Sequence, residues 1–414
     1  MDAQDHQHRR QRADDDVLDQ RVVRSAESRY LSRGRLMTKV MTVVGTRPEI
    51  IRLSEVIKRL DATVDHVLVH TGQNYDYELN EIFFDELGLR RPDHVLDVDT
   101  SSLGRVLGEV LIKIERVLTD EQPDAFLVLG DTNSSIAAVM AKRMRIPVYH
   151  MEAGNRCFDE NVPEETNRRV IDHVADFNLV YTEHARRNLL AEGLHPRRIL
   201  LTGSPMNEVL RVQRASIETS GILGRLGLEA SGYFLVSAHR QENVDDPRRL
   251  SALLDCLDVI VDEYRLPVLV STHPRTRKRL AALNRHVPGV TFHAPLGFHD
   301  YNRLQTGARC VLSDSGTIAE ESSILGFPAV TLRESIERPE ALDAGSIIMA
   351  GLDPANVLEG IRAAIPIGPA GVVETPPEYG ITNTAQRTVN FILSTYRRLP
   401  SWSGMHDTRS VPRG

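Results

Sequence analysis

The chain has 414 residues, a formal net charge of −7, 41% hydrophobic and 26% charged residues, and three cysteines. That length exceeds what one hydrophobic core holds and points to two domains, while the negative balance argues against a dedicated nucleic-acid or anionic-membrane surface. Cys157, Cys256 and Cys310 form no CxxC pair, so neither a disulfide framework nor a zinc site is indicated and a reducing cytoplasm fits; no apolar run reaches the length of a membrane span.

Residues 1–36 mix His-Gln-His-Arg-Arg-Gln-Arg with Asp14, Asp15 and Asp16 and hold few large apolar residues. The expectation is a disordered extension with no catalytic role, lacking the apolar core of a secretory signal. Met37 then opens a first strand. Strands are predicted at Lys39–Val44, His66–His70, Ala125–Leu129 and Val148–Met151, and helices at Pro48–Leu60, Tyr77–Leu87 and from about Asn133. This βαβα order implies a parallel sheet with helices on both faces. The pattern restarts after Gly203-Ser204-Pro205, with strands at Tyr233–Ser237, Val268–Ser271, Val290–His293, Cys310–Leu312 and Pro328–Leu332. A helix at Thr384–Tyr396 comes last. The expected domains are therefore 37–204 and 205–383, two α/β units facing a cleft at the carboxyl ends of their strands, where ligands bind.

Seven positions along the chain carry chemistry-bearing residues. Gly45-Thr46-Arg47-Pro48-Glu49 sits at a strand-to-helix turn, where Arg47 and the helix N-terminus favour a phosphate; a well-capped turn with a solvated arginine explains the same residues. Asp131, after Leu127–Gly130, is either a helix cap or a carboxylate at the cleft floor. Glu152 follows the strand Val148–Met151; a buried charge there needs a partner or a shifted pKa, and Arg156 is a candidate partner. Glu164 and Glu165 begin a helix, where the dipole favours carboxylates; Glu165 is read as structural and Glu164 stays open.

His239-Arg240-Gln241-Glu242-Asn243 combines an imidazole, a guanidinium and a carboxylate beyond a strand end, where a histidine can donate to a phosphate or shuttle a proton. Ser313-Asp314-Ser315-Gly316-Thr317, running into Ile318-Ala319-Glu320-Glu321, opens a helix whose free N–H groups and hydroxyls suit a pyrophosphate. It is neither a P-loop nor GxGxxG, so ATP and NAD are not indicated. Glu337-Arg338-Pro339-Glu340 adds a further arginine.

At these residues the chain resembles the non-hydrolysing UDP-N-acetylglucosamine 2-epimerase family over roughly 39–396. Gly-Thr-Arg-Pro-Glu, Gly-Asp-Thr, Glu-Ala-Gly-x-Arg, Pro-Glu-Glu-x-Asn-Arg, Ala-His-Arg-x-Glu-Asn, Asp-Ser-Gly and Glu-Arg-Pro-Glu occur in the family's order. The resemblance implies two Rossmann-like domains in a GT-B-like arrangement, a final helix (384–396) returning to the first domain, a homodimer, and neither metal nor nicotinamide cofactor. It implies an isomerase that removes the carbon-2 proton of a UDP-N-acetylhexosamine as UDP leaves, then adds UDP back. Carried over by position, Asp131, Glu152, Glu164 and His239 form the acid/base and leaving-group set. Arg47, Arg168, Ser315, Gly316, Glu321 and Arg338 contact substrate or UDP.

The chain departs from the UDP-N-acetylglucosamine branch at Arg52, where that branch usually has lysine, and at Gln73-Asn74-Tyr75-Asp76-Tyr77, where it has a histidine-containing segment contacting a second, activating UDP-sugar. Asn155–Asp159 and Ser271–Arg279 look more like the branch making UDP-N-acetyl-L-fucosamine for capsule or O-antigen. Rival readings are a UDP-sugar glycosyltransferase on the same architecture and a hydrolysing epimerase that releases UDP.

Overall fold

The computed structural model describes residues 37–72, 77–238, 240–272, 274–283, 285, 287–365 and 375–404. The expected extension at 1–36, positions 73–76, His239 and His273 lie outside the described residues.

The first sheet contains seven parallel strands: β1 Lys39–Val44, β2 Asp65–His70, β3 His94–Val95, β4 Ala125–Leu129, β5 Val148–Met151, β6 Phe177–Val180 and β7 Ile199–Leu201. Their spatial order is β3-β2-β1-β4-β5-β6-β7. β1 pairs with β2 on one side and with β4 on the other, so the order reverses at β1/β4 and the carboxyl ends part there. The central strands are continuous apolar runs because helices cover both faces. The Arg47–Thr63 helix buries Ile50, Leu53, Ile57 and Leu60 on one stripe, each worth about 1.5–3 kcal/mol relative to exposure. Pro48 stands in its first turn and Thr46 caps it.

The second sheet repeats the plan: β8 Phe234–Ser237, β9 Val268–Ser271, β10 Val290–His293, β11 Cys310–Ser313, β12 Ala329–Thr331 and β13 Ile348–Met349. Its order is β10-β9-β8-β11-β12-β13, and β11 pairs in parallel with β8 at the second reversal. Two parallel-sheet α/β units facing one another form the GT-B-like arrangement that the resemblance implies.

Three connections set the relation between the units. Gly203 takes φ +80, and a Cβ there would stand 2.6 Å from the Ile381 side chain, so the crossing point needs glycine. The Thr384–Thr395 helix lays Val389 and Ile392 into the first unit's core. There Tyr149 Oη lies 2.7 Å from Thr395 Oγ1, and Tyr396 Oη lies 2.7 Å from Thr38 Oγ1. Across the cleft mouth, Glu86 accepts from the backbone N–H of Phe298 at 2.5 Å and of His299 at 3.4 Å, capping the Phe298–Gly307 helix of the other unit. A pocket opens between the units, walled by Arg47, Arg52 and Phe83 on one side and Ser237, Ser315 and Glu321 on the other.

Candidate active site

The turn after β1 is organised by a carboxylate. Buried Glu49 accepts from the Gly45 N–H (3.0 Å), the Thr46 N–H (2.7 Å) and the Thr46 hydroxyl (2.8 Å). It also accepts from the Ser134 hydroxyl in the loop after β4. Burial pushes this carboxyl up to about 7, against the pull of those donors. The result is a stiff bridge across the β1/β4 reversal. Arg47 stands on it at the cleft wall, its guanidinium 5.9 Å from the centre of the Phe83 ring.

Asp131, at the end of β4, is held by Arg168, which donates from Nε at 3.0 Å and from Nη2 at 2.5 Å. Its side chain stays a quarter exposed. Arg168 itself is buried and also donates to Glu165 at 2.9 Å. Glu165 further accepts from Arg169 (3.1 Å) and the Cys157 N–H (3.2 Å), so it fastens the loop to the Pro163–Val174 helix. Burial pushes its carboxyl up, but Cys157 and the two arginines more than offset this and hold it below the usual range. Glu164, one residue earlier, is only partly buried and makes no ion pair among the described residues.

Glu152 has the most constrained environment. Its backbone takes φ +66, a left-handed conformation that a glutamate rarely adopts. One carboxylate oxygen accepts from Arg52 and the other from Arg338 at 2.5 Å. Both arginines also donate to Glu320, each at 2.5 Å. Arg52 and Glu152 belong to the first unit, Glu320 and Arg338 to the second. Burial alone would push the Glu152 carboxyl up; Arg52 and Arg338 outweigh it and hold it below the usual carboxylate range. Arg156, the partner considered from sequence, instead ties Asp172 (2.7 Å) and Glu192 (2.7 Å) together beneath the sheet end.

On the facing unit, the turn between β11 and the Ile318–Leu325 helix is built from hydroxyls and backbone. The Ser315 N–H donates to Ser313 Oγ at 3.0 Å, and Ser315 Oγ accepts from the Thr317 N–H at 3.3 Å. Gly316 lets the Glu337 carboxylate approach closely: a Cβ there would stand 2.4 Å from Glu337 Oε1, which would have to move aside. Its carbonyl accepts from Arg338 at 2.8 Å. Glu321 accepts from Gln305 at 2.6 Å; burial raises its carboxyl above the usual range, with Gln305 and Thr317 pulling the other way. Arg240, after β8, donates its N–H to Asp314 at 3.0 Å and reaches Glu337 at 3.3 Å, closing the β8/β11 reversal. His239, the histidine of the expected set, lies outside the described residues.

The structure thus puts Asp131 and Glu152 at the carboxyl ends of β4 and β5, Arg168 on the Pro163–Val174 helix reaching Asp131, and Arg47, Ser315 and Glu321 on the cleft walls. Arg338 crosses from one unit to the other. Three groups carry more than the sequence reading assigned them: Glu49, Arg52 and Glu320. Glu320 stood beside Glu321 in a helix's first turn, where the dipole favours any carboxylate, and that hid its specific partners.

The family described as UDP-N-acetylglucosamine 2-epimerase matches residues 58–393. A solved structure of a UDP-N-acetylglucosamine 2-epimerase from Rickettsia bellii superposes with a TM-score of 0.84 at 43% identity, covering 89% of this chain and 100% of that one. The Methanocaldococcus jannaschii enzyme, solved in complex with UDP-GlcNAc and UDP, gives a TM-score of 0.81 at 33% identity, over 86% of this chain and 100% of that one. A Methanococcus maripaludis protein named UDP-N-acetylglucosamine 2-epimerase is 38% identical over 334 residues, 78% of this chain and 90% of its own length.

Proposed function

Because the chain belongs to the UDP-N-acetylglucosamine 2-epimerase family of isomerases, we propose that it inverts carbon 2 of a UDP-N-acetylhexosamine by elimination and re-addition of UDP. The observation that carries the reading is the division of the cleft. Carboxylates gripped by arginines line one wall, and a hydroxyl and amide turn at a helix N-terminus lines the other. A base on the first wall takes the carbon-2 proton while the bond from the anomeric carbon to UDP breaks. The product of that step is a 2-acetamidoglycal with UDP still held. UDP then adds back to the anomeric carbon, and a proton reaches the opposite face of carbon 2. Two acid/base positions are needed, and Asp131, Glu152 and Glu164 supply them, with His239 assisting departure of the diphosphate. Ser315, Gly316 and the helix N-terminus hold the pyrophosphate, and Glu321 holds the ribose hydroxyls. Arg47, Arg168 and Arg338 complete the anion-binding side. In this reading the enzyme works in the cytoplasm as a homodimer.

The relatives' names make UDP-N-acetylglucosamine the first sugar to test. A second substrate is UDP-2-acetamido-2,6-dideoxy-L-talose, giving UDP-N-acetyl-L-fucosamine for a surface polysaccharide. The sequence segments 155–159 and 271–279, which resemble that branch, and Arg52 in place of the lysine usual in the first branch are the reason for testing it. Incubating the protein with each sugar in heavy water and reading the products by NMR tests both. Deuterium at carbon 2 with little free UDP is expected. Stoichiometric release of UDP, or an epimer without deuterium, would overturn the mechanism.

A further inference from the structure

Two glutamates and two arginines close a ring across the domain boundary. In order it runs Arg52, Glu152, Arg338, Glu320 and back to Arg52. The two positive charges alternate with the two negative ones. Glu320 is fully buried. One of its oxygens accepts from both guanidiniums, at 2.5 Å each, and the other accepts from Ser204 Oγ at 2.5 Å in the interdomain linker. A buried ionic ring costs desolvation that an apolar cluster of equal volume avoids, so its presence is weak evidence for stability alone. What it does achieve is geometric. The Glu152 carboxylate receives one donor from each domain, so its plane is fixed only when both domains are in place.

The geometry points to Glu320 as a positioning residue for the proposed epimerisation: acting through Arg52 and Arg338, it sets the orientation and ionisation of Glu152 from the opposite domain. The role rests on the function proposed above. Glu320 stands in the first turn of the helix whose entry carries Ser315 and Gly316, immediately before Glu321. One helical turn therefore bears the proposed nucleotide contacts and the anchor of the carboxylate across the cleft. Arg338 joins the two, because the same guanidinium donates to the Gly316 carbonyl, to Glu320 and to Glu152. Nucleotide seated on that turn meets an acid/base group already aligned. Without the Glu320 charge, both guanidiniums have Glu152 as the remaining carboxylate of the ring. Glu152 would then be gripped harder and would give up its lone pair less readily.

Glu152 faces Arg52 on the Arg47–Thr63 helix, Arg338 on the second domain and Tyr181 at the end of β6, while Glu337, Glu340 and Tyr379 act on Arg338 from beyond. The test compares wild type with Glu320→Gln and Glu320→Asp. It measures kcat, KM, UDP affinity by calorimetry, and the pH profile of carbon-2 deuterium incorporation. For Glu320→Gln the expected result is a kcat at least about 10-fold lower, with KM and UDP affinity within about threefold of wild type. Its acidic limb should move to lower pH, because removing a negative charge stabilises the ionised form of Glu152. Glu320→Asp keeps the charge and should return the limb toward its wild-type position. If Glu320→Gln does not fold, Arg52→Met/Glu320→Gln keeps the ring neutral and should still show the lowered kcat. An unshifted limb, a loss of UDP affinity equal to the loss in kcat, or wild-type kcat in the double variant overturns the role. A wild type that binds UDP without incorporating deuterium overturns the proposed reaction, and the role with it; an active wild type with unaltered variants overturns the role alone.

Discussion

The two walls of the cleft are built on one topology and satisfied by different means. Each is a parallel sheet whose strand order reverses beneath the site, at β1/β4 and at β8/β11. On the first wall the polar groups are ionised side chains in pairs: Asp131 on Arg168, Glu165 on Arg168 and Arg169, Glu152 on Arg52. On the second, the turn at 313–317 is tied internally by hydroxyls and backbone N–H groups, and its arginine contacts, from Arg240 and Arg338, go to backbone carbonyls. The contrast fits the roles proposed for the two walls. A group that exchanges a proton must be oriented by neighbours whose own charge does not change, and arginine is the side chain that meets that condition. A group that binds a permanently charged diphosphate needs only preset donors.

The sharpest way to break the comparison is to neutralise the first wall. Asp131→Asn, Glu152→Gln and Glu164→Gln should each lower turnover at least about 100-fold with the fold intact, since acid/base groups contribute roughly 10²–10⁴-fold. Turnover near wild type in two of the three would show that the chemistry lies elsewhere. Next in size is the group that joins the walls. Arg338→Met leaves Glu152 and Glu320 each short of a cation in a buried setting, and breaking such a pair costs roughly 3–5 kcal/mol. Urea unfolding of Arg338→Met and Arg338→Met/Glu320→Gln measures it. The double variant should recover part of the loss; equal loss in both would mean that packing, not charge, dominates at this position.

Much of the frame was legible because its signals are local. The strands Lys39–Val44, Ala125–Leu129, Val148–Met151, Val268–Ser271 and Val290–His293 lie where their apolar runs place them. Phe177–Val180 and Ile199–Leu201 are not signalled in the sequence: they are only four and three residues long, and neither stands out by length or alternation. The helix over 47–63 starts one residue earlier and runs three further than its apolar stripe predicts, because the Thr46 cap and Glu49 extend it backwards. At the site, positions at strand ends were readable and partners were not. The strand-end position of Glu152 implies a partner or a shifted pKa, yet the candidate partner nearby in sequence, Arg156, serves Asp172 and Glu192. The actual partners lie 100 and 186 positions away, a distance over which spacing carries no information.

The second wall is sharpened by binding rather than turnover. Ser315→Ala and Glu321→Ala should weaken UDP binding, whereas Asp131→Asn should hardly change it. Losing one hydrogen bond to a charged group costs about 1.5–3 kcal/mol, or roughly ten- to hundredfold in affinity. Free UDP carries no sugar and so makes no demand on Asp131. Calorimetric titration of the three variants reads this directly. An Asp131→Asn variant that loses as much affinity as Glu321→Ala would merge the two walls into one nucleotide site.

The smallest effect concerns how the first wall's support responds to acid, where two buried groups oppose each other. His70, at the end of β2, accepts from the Gly72 N–H at 3.0 Å, and burial pushes its imidazole down to about 4. As pH falls below the ordinary histidine value of about 6.5, the unfolded chain takes up that proton and the folded one does not. The contribution of His70 is therefore complete above that value and is lost toward pH 4. Glu49 has the reverse sign. Its folded carboxyl titrates at about 7, raised by burial from an ordinary value of 4.5, so its contribution is complete at low pH and is lost as pH rises from 4.5 toward 7. Between about pH 4.5 and 6.5 the two slopes, each about 1.4 kcal/mol per pH unit for one proton, run against each other. Asparagine at position 70 offers an oxygen to the same N–H without a titrating ring. His70→Asn should therefore gain stability relative to wild type as pH is lowered from 6.5 to 4.5, by an amount that grows steadily across the window. Urea midpoints at four pH values settle the sign; parallel curves for wild type and variant would show that His70 is protonated in both states and that the turn after β2 is wetter than its burial indicates.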